Sequence, residues 1–232
     1  MNEHTSKKFD SELEGIRTRV LQMGGMVELQ IVKAMEGLSN GDLLLIDQVI
    51  ENDNRVNLLE IELDEACNQV IAKRQPTAVD LRMVSTVQKT ITDLERIGDE
   101  AKKIAKTAKL HHSTPSSFTP PIRLSHIADA VVDMLRTALD AYARLDTVSA
   151  AQVVRQDKEV DAEFKGIMRQ LITYMMEDPR TISQAIELMF VAKSVERIGD
   201  HSKNIAEYVV YMVKGRDVRH TSLEEIEREA MR

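Results

Sequence analysis

Apolar residues recur at intervals of three and four along most of the chain, which is the spacing of amphipathic α-helices. The first run covers about residues 9–38, and a second follows the Asn40–Asp42 turn and reaches about residue 74. Pro76 separates it from a third run over about residues 79–110. This half of the chain is therefore predicted to form three long helices, with Asp42 as the N-cap of the second.

The same pattern starts again in the second half of the chain. Residues 113–121 are rich in proline and serine and are interpreted as a linker. Three further runs cover about residues 122–145, 149–176 and 182–214. Each half thus predicts the same succession of three helices.

The predicted fold is all-α, with two tandem, pseudo-symmetric, antiparallel three-helix bundles. The first bundle is assigned to residues 1–112 and the second to residues 122–216. Short connections between long helices favour antiparallel neighbours, which is why each half is expected to close on itself. Residues 217–232 are charged and are expected to form a short or frayed terminal helix.

A motif within the third helix of each half is repeated. Residues 93–105 and 194–206 share Glu-Arg-Ile-Gly-Asp and a following Lys, Ile and Ala at a constant offset of 101 residues. In each copy a Glu and an Asp lie four residues apart, so both carboxylates occupy one helix face. Acids at this spacing repel each other unless a cation joins them. The carboxylates so placed are Glu95, Asp99, Glu196 and Asp200.

A further acid lies on the core-facing side of the second helix in each half. Asp53 and Asp157 occupy positions where the four-three spacing would place an apolar residue. In an antiparallel pair of helices these acids come level with the Glu and Asp of the adjacent motif. Asp161 lies one turn after Asp157, where the first half has Asn57. Each half is therefore predicted to gather several carboxylates at one height.

Such oxygen clusters without cysteine favour a hard or borderline cation, namely Mg, Mn, Ca or Fe, and permit Zn. A simpler interpretation is that Arg96, Arg197, Lys102 and Lys203 neutralise the acids as ordinary ion pairs. Repetition of the whole arrangement in both halves favours metal binding. The predicted metal ligands are Glu95, Asp99, Glu196, Asp200, Asp53, Asp157 and Asp161.

Composition and charge exclude several classes of protein. The net charge of −7 argues against general nucleic-acid binding, which requires a basic face. The single cysteine, Cys67, rules out an internal disulfide. No apolar run approaches the length of a bilayer span, and the first residues lack the apolar run of a signal peptide. We therefore expect a cytoplasmic protein without membrane insertion.

Two classes of function fit helical bundles with carboxylate sites. One is a non-enzymatic regulator whose helix faces bind partner proteins. The other is a carboxylate-bridged di-metal oxidase or metal-storage protein, in which Glu-x-x-His pairs surround one site. No histidine here has a Glu three residues before it, and the Gly-x-Ser-x-Gly motif of serine hydrolases is absent. The sequence therefore favours a protein that is not an enzyme.

The chain resembles the PhoU family over nearly its whole length. The matching residues are 9–13 near the start, 74–76 and 80–82 between the second and third helices, and the two Glu-Arg-Ile-Gly-Asp motifs. The resemblance implies a pair of three-helix bundles with a multinuclear metal cluster at each Glu/Asp-xxx-Asp motif. In this chain those motifs are Glu95 with Asp99 and Glu196 with Asp200.

The resemblance also implies a biological role. Members of this family are cytoplasmic accessory proteins that restrain phosphate uptake and phosphate-starvation signalling. They are understood to act between the phosphate ABC transporter, through its ATPase PstB, and the sensor kinase PhoR. The resemblance further implies a homodimer.

Overall fold

The computed structural model describes residues 7–113 and 122–232, and most of this part of the chain is helical, with no β-strand. Of the predicted linker, Ser113 belongs to the third helix and the remainder lies outside the described residues. A 3-10 turn, Pro179–Thr181, precedes the sixth helix. The helices are α1 (Lys7–Asn40), α2 (Leu43–Arg74), α3 (Ala78–Ser113), α4 (Ser125–Arg144), α5 (Thr147–Glu177), α6 (Ile182–Lys214) and α7 (Leu223–Met231).

The ends of these helices follow from local capping. The Asp42 side chain accepts hydrogen bonds from the backbone N–H groups of Leu44 and Leu45, so Asp42 caps α2 as predicted. Asp146, which lies 104 residues later, caps α5 in the same way. Gly215 ends α6 with a φ of 73°, a conformation that glycine adopts without strain. The two halves thus use equivalent caps at equivalent places.

The six long helices form two three-helix units that share one core. Helices α1, α2 and α3 pack together, as do α4, α5 and α6, and the short connections make consecutive helices antiparallel. The units also pack against each other, α3 on α6 and α1 on α4. At the α1–α4 contact, a Cβ on Gly24 would lie 2.6 Å from the Leu139 side chain, so glycine permits this close approach.

The contact between α3 and α6 has pseudo-twofold symmetry. The His201 ring, through Nδ1, lies 2.6 Å from Asp93 Oδ1, and Ser194 Oγ donates to Glu100 Oε2 at 2.9 Å. Positions 93 and 194 correspond in the repeat, as do positions 100 and 201. The two hydrogen bonds are therefore equivalent under the pseudo-twofold symmetry. Because position 93 pairs with 201 and position 100 with 194, α3 and α6 are antiparallel. Because all four side chains are buried, these bonds fix the register of the two units.

The charged C-terminal segment forms a short helix, as expected, and this helix is not frayed. Helix α7 packs on α5 and α6 and buries Ile226 and Ala230. Thr147 Oγ donates to the Ala230 carbonyl at 2.7 Å, and this bond ties α7 to the start of α5. Within the described ranges, no helix has the combination of length and apolar character needed to cross a bilayer.

Candidate functional site

The acids of the first motif lie beside the buried Asp53 of α2. Asp53 is fully buried, and Lys102 Nζ donates to its Oδ2 atom at 2.6 Å. Glu95 and Asp99 extend from α3 toward the same region and are half-buried. The hydrogen bond to Asp53, together with the negative charges of Asp53, Asp99 and Glu95, raises the pKa of Lys102. The three predicted acids of this half are therefore electrostatically coupled around one lysine.

A fourth acid, Glu60 of α2, belongs to the same cluster. Burial raises the pKa of Glu95, and the charges of Asp99, Glu60 and Asp53 raise it further. Burial is also the main cause of the raised pKa of Glu60, to which the charge of Asp99 contributes. We call Asp53, Glu60, Glu95 and Asp99 the first acidic site. The raised pKa values of Glu60 and Glu95 indicate that one lysine does not fully offset the negative charge of the site.

Glu60 is a site residue that the sequence analysis missed. It lies on the same face of α2 as Asp53, where the spacing of buried positions includes Val49, Val56 and Leu63. A second polar residue on this face was therefore visible in the pattern. It was not assigned to the site because a Glu in a long helix is usually a surface residue, even where the four-three spacing places it among apolar positions.

The second acidic site, in the other unit, consists of Asp157, Asp161, Glu196 and Asp200. Lys203 Nζ donates to Asp157 Oδ2 at 2.6 Å and lies 3.8 Å from Asp200 Oδ1. Lys193 pairs with Glu196 from one turn earlier on α6. Lys203 thus occupies in the second unit the position that Lys102 occupies in the first.

The acids of the second site are also coupled electrostatically. Burial raises the pKa of Asp157 by more than its hydrogen bond to Lys203 lowers it, and the charges of Asp200 and Asp161 add to the rise. Burial likewise raises the pKa of Asp200, and Glu196 and Asp161 reinforce the effect. All four predicted acids of this half are therefore brought together.

The two sites have the same number of carboxylates, but they differ in the position of one acid and in Lys193, which has no lysine counterpart in the first half. Asn57 of the first unit corresponds to Asp161, and Glu60 corresponds to Phe164, at an offset of 104 residues. Lys193 Nζ lies 5.4 Å from the centre of the Phe164 ring. Each site thus keeps four carboxylates and one central lysine, although the fourth carboxylate comes from a different turn of the helix.

The ion-pair interpretation matches the structure for both lysines and for Arg96, whose charge lowers the pKa of Glu60 and Glu95, but not for Arg197. Lys102 and Lys203 pair with the acids on the neighbouring helices, Asp53 and Asp157. Arg197 turns away from the second acidic site, since its Nη1 atom lies 3.0 Å from Glu100 Oε1 across the α3–α6 contact.

The residues of the first acidic site suit a metal ion in chemistry, although their present arrangement is that of ion pairs. In the part of the chain that the structure describes, no three His, Cys, Asp or Glu side chains are positioned to hold one ion. The buried atoms Asp53 Oδ1 and Asn57 Oδ1 nevertheless have no hydrogen-bond partner. A buried carboxylate oxygen without a donor is costly, and a hard cation would satisfy it. The Lys102 ammonium group, which is bonded to Oδ2, would compete with such a cation for Asp53.

Neither acidic site contains the Glu-x-x-His pairs of a di-metal oxidase. The site residues are all carboxylates, and His201, although adjacent to Asp200 in sequence, bonds to Asp93 instead. The two sites also lie in different units, whereas the oxidase places four helices around one site. The oxidase interpretation therefore gains no support from the geometry.

Comparisons with protein families and curated proteins place these features in context. A family model described as the PhoU domain matches residues 20–108 and 124–209, one match in each unit. The phosphate-specific transport system accessory protein PhoU of Serratia marcescens is 49% identical over 230 residues, covering 98% of this chain and 93% of that protein. The protein of the same name from Escherichia coli K12 is 48% identical, covering 98% and 94%.

Solved structures show the same architecture. The crystal structure of PhoU from Pseudomonas aeruginosa matches with a TM-score of 0.86 and 45% identity, covering 90% of this chain and 100% of that one. The phosphate transport system regulatory protein PhoU from Streptococcus pneumoniae matches with a TM-score of 0.84 and 25% identity, covering 90% and 99%.

Proposed function

Because this chain belongs to the PhoU family, we propose that it is a metal-binding regulator of phosphate transport and not an enzyme. The similar proteins are named as accessory or regulatory proteins of a phosphate transport system. On this proposal the chain acts on the cytoplasmic side of the membrane. It restrains phosphate uptake and phosphate-starvation signalling through contacts with the transporter ATPase PstB and the sensor kinase PhoR.

The observation that carries the metal part of this proposal is the duplicated acidic site. Each unit places four carboxylates around one lysine, and the two central acids, Asp53 and Asp157, are buried. Clusters of like charge raise each other's pKa and destabilise the fold unless they are neutralised. A divalent or trivalent ion such as Mg, Mn, Fe or Zn would neutralise more charge than one ammonium group does. We assign it to Glu95, Asp99, Asp53 and Glu60 in the first unit and to Asp157, Asp161, Glu196 and Asp200 in the second.

The regulatory role predicts copurification with its partners. We expect the tagged full-length chain, expressed in phosphate-replete cells, to retain PstB and PhoR, and expect less of both from phosphate-starved cells. Mass spectrometry of the captured proteins measures the ratio. A tagged variant with Leu29→Asp and Val32→Asp on the exposed face of α1 tests whether apolar helix faces contribute. Absence of both partners under both conditions would contradict the proposal.

We also propose that two copies of the chain associate, because two equivalent grooves carry opposite charge. The grooves flank the α1–α4 contact and correspond at an offset of 104 residues. The α1–α2 groove presents Lys33 and Arg55. A dimer with its twofold axis parallel to the helices would place each basic groove against the acidic groove of the other copy. The α4–α5 groove presents Asp129, Asp133, Glu159 and Glu163.

Charge reversal tests this arrangement. Lys33→Glu with Arg55→Glu makes both grooves acidic. Reversal of all four acids of the α4–α5 groove, Asp129→Lys, Asp133→Lys, Glu159→Lys and Glu163→Lys, makes both grooves basic. Each variant is expected to sediment as a monomer, because like charges then face each other twice. An equimolar mixture of the two variants should recover the dimer, since both groove contacts become attractive again. Wild-type chain that sediments as a monomer, or a mixture that does not recover association, would contradict the arrangement.

A further inference from the structure

A cavity of about 430 Å³ lies where α7 and the segment before it cover α5 and α6. This volume falls within the range of small-molecule sites, about 300–1,000 Å³. We call the cavity the α7 pocket. Its polar lining comes from three elements and includes Lys158, Lys203, Asn204, Glu207, Arg219 and His220.

Three cationic side chains reach the α7 pocket from different directions. Lys158 comes from α5, Lys203 from α6, and Arg219 from the segment before α7. Arg219 is held in place by Asp217, with Nη2–Oδ2 and Nε–Oδ1 distances of 2.6 and 3.0 Å. Lys203 is held in the same way by Asp157. Cations that are already positioned lose little side-chain freedom when they bind an anion.

Glu207, which lines the pocket with these cations, is only about half ionised near pH 7. Burial raises the pKa of Glu207 to about 7, against the opposing effects of Lys203 and Arg219. Its carboxyl group is therefore largely protonated below that pH and becomes a hydrogen-bond donor. Asp157 remains as an opposing charge, but it is paired with Lys203.

Part of the lining of the α7 pocket is apolar. Val154, Leu223 and Ile226 contribute this part. Helix α7 is tied down by the Thr147–Ala230 hydrogen bond and by Arg216, whose Nη1 atom lies 3.0 Å from Glu229 Oε2. A ligand would therefore meet both charged and apolar groups in the α7 pocket.

The α7 pocket adjoins the second acidic site, with which it shares Asp157 and Lys203, but its other charged residues have no counterpart in the first unit. At the positions that correspond to Glu207 and Lys158, the first unit has Lys106 and Asn54. His220 also lines the pocket with a φ of 66°, a conformation sparsely populated by residues with a side chain. Such conformations cluster at binding sites. The chemistry of this cavity is thus specific to the second unit.

We propose that the α7 pocket binds a small organic anion whose phosphate or carboxylate group contacts Lys158, Lys203 and Arg219. The apolar part of the ligand packs against Leu223 and Ile226. This function goes beyond the proposed regulatory role and requires neither metal nor a partner protein. It gives the second unit a binding site for a small molecule that the first unit does not share.

Calorimetric titration of the full-length chain in chelator, with AMP and inorganic phosphate as probes, tests the proposal. Saturable binding of AMP at one site per chain is expected, with inorganic phosphate weaker because it has no part that can pack against Leu223 and Ile226. Lys158→Glu should weaken that binding at least about tenfold, since it reverses one of three cations. Lys158 is exposed, so this variant is expected to fold normally.

The matched control is Lys165→Glu, an equal charge change on an exposed position of α5 outside the α7 pocket. It should leave binding unchanged. If no probe shows saturable binding up to about 5 mM, or if both lysine variants weaken binding equally, the proposal is wrong. Metal content and partner capture are measured on separate samples, so failure here is distinguishable from failure of the proposed function.

Discussion

Replacing Lys102 by Met is expected to lower the free energy of unfolding by about 2 to 3 kcal/mol in the presence of a chelator. The substitution removes the donor at 2.6 Å and leaves the fully buried Asp53 carboxylate with only the long bond from Asn57 Nδ2 to Oδ2, 3.4 Å, while Oδ1 already has no partner. A buried charge without a partner is far more costly than an exposed one. We place the effect at the low end because the Lys102 side chain is 25% exposed. Urea unfolding followed by circular dichroism measures it.

The matched control is Lys109→Met on the same helix. Lys109 Nζ lies at the same distance, 2.6 Å, from Asp47 Oδ1, but both side chains are about half exposed. The loss should stay below about 1 kcal/mol, because water and salt screen an exposed pair. Equal losses for the two lysines would mean that Asp53 is not the costly charge. The double change Asp53→Leu with Lys102→Met should recover most of the stability, since an apolar pair needs no partner.

Added metal makes the same variant a test of the first acidic site. With Lys102 removed, a cation can approach Asp53 without first displacing an ammonium group. Mn²⁺ is therefore expected to raise the stability of Lys102→Met by more than it raises that of the wild-type chain. A stability gain no larger than that of the wild type would mean that Mn²⁺ does not take the place of Lys102 at the first acidic site.

The helices and their order were predictable because the apolar spacing is long and regular. Asp42 precedes α2 and Pro76 separates α2 from α3, as predicted. The resemblance to the PhoU family, drawn from the repeated motif, is confirmed. The start of α4 was less well placed. Its first turn begins at Ser125 and not at residue 122, and residues 122–124 precede the helix without helical structure.

The proximity of the acids in each half was also predictable, because their spacing along two antiparallel helices places them at one height. Asp53 lies close enough to Glu95 for its charge to contribute to the raised pKa of Glu95, after burial and the nearer acids. The lysines were harder to place. Their sequence position suggested pairing with the motif Asp on the same helix, but Lys102 reaches across to α2. A long side chain at a helix surface can choose between helices, and the sequence does not state which helix lies within reach.

The contact between the two units could not be derived from periodicity. Its centre is polar, and Asp93, Glu100 and His201 would each be taken for surface residues in a sequence of this charge. Their burial follows only from the packing of α3 on α6, where each finds a partner of the other unit. The α7 pocket was invisible for the same reason. Its lining residues come from α5, α6 and the tail, which no single pattern connects.

Glu95→Ala with Asp99→Ala is expected to lower the metal content of the purified chain by about half. The two acidic sites lie in different units, so loss of one should leave the other intact. Helicity measured by circular dichroism should be nearly unchanged, because both side chains are half-buried and removing them relieves repulsion between like charges. Elemental analysis of the chain reconstituted with Mn²⁺ gives the ratio of metal to protein.

The control for this variant is Asp129→Ala with Asp133→Ala, an exposed pair at the same spacing on α4 outside both acidic sites. It should retain all of the metal, since spacing alone does not make a site. Adding Glu196→Ala and Asp200→Ala to the first pair should remove the remaining half, because the second site then loses two of its four carboxylates. Full retention in the Glu95 and Asp99 variant, or equal loss in the control, would leave the two sites as networks of ion pairs. The buried acids would then serve the register of the helices rather than a cation.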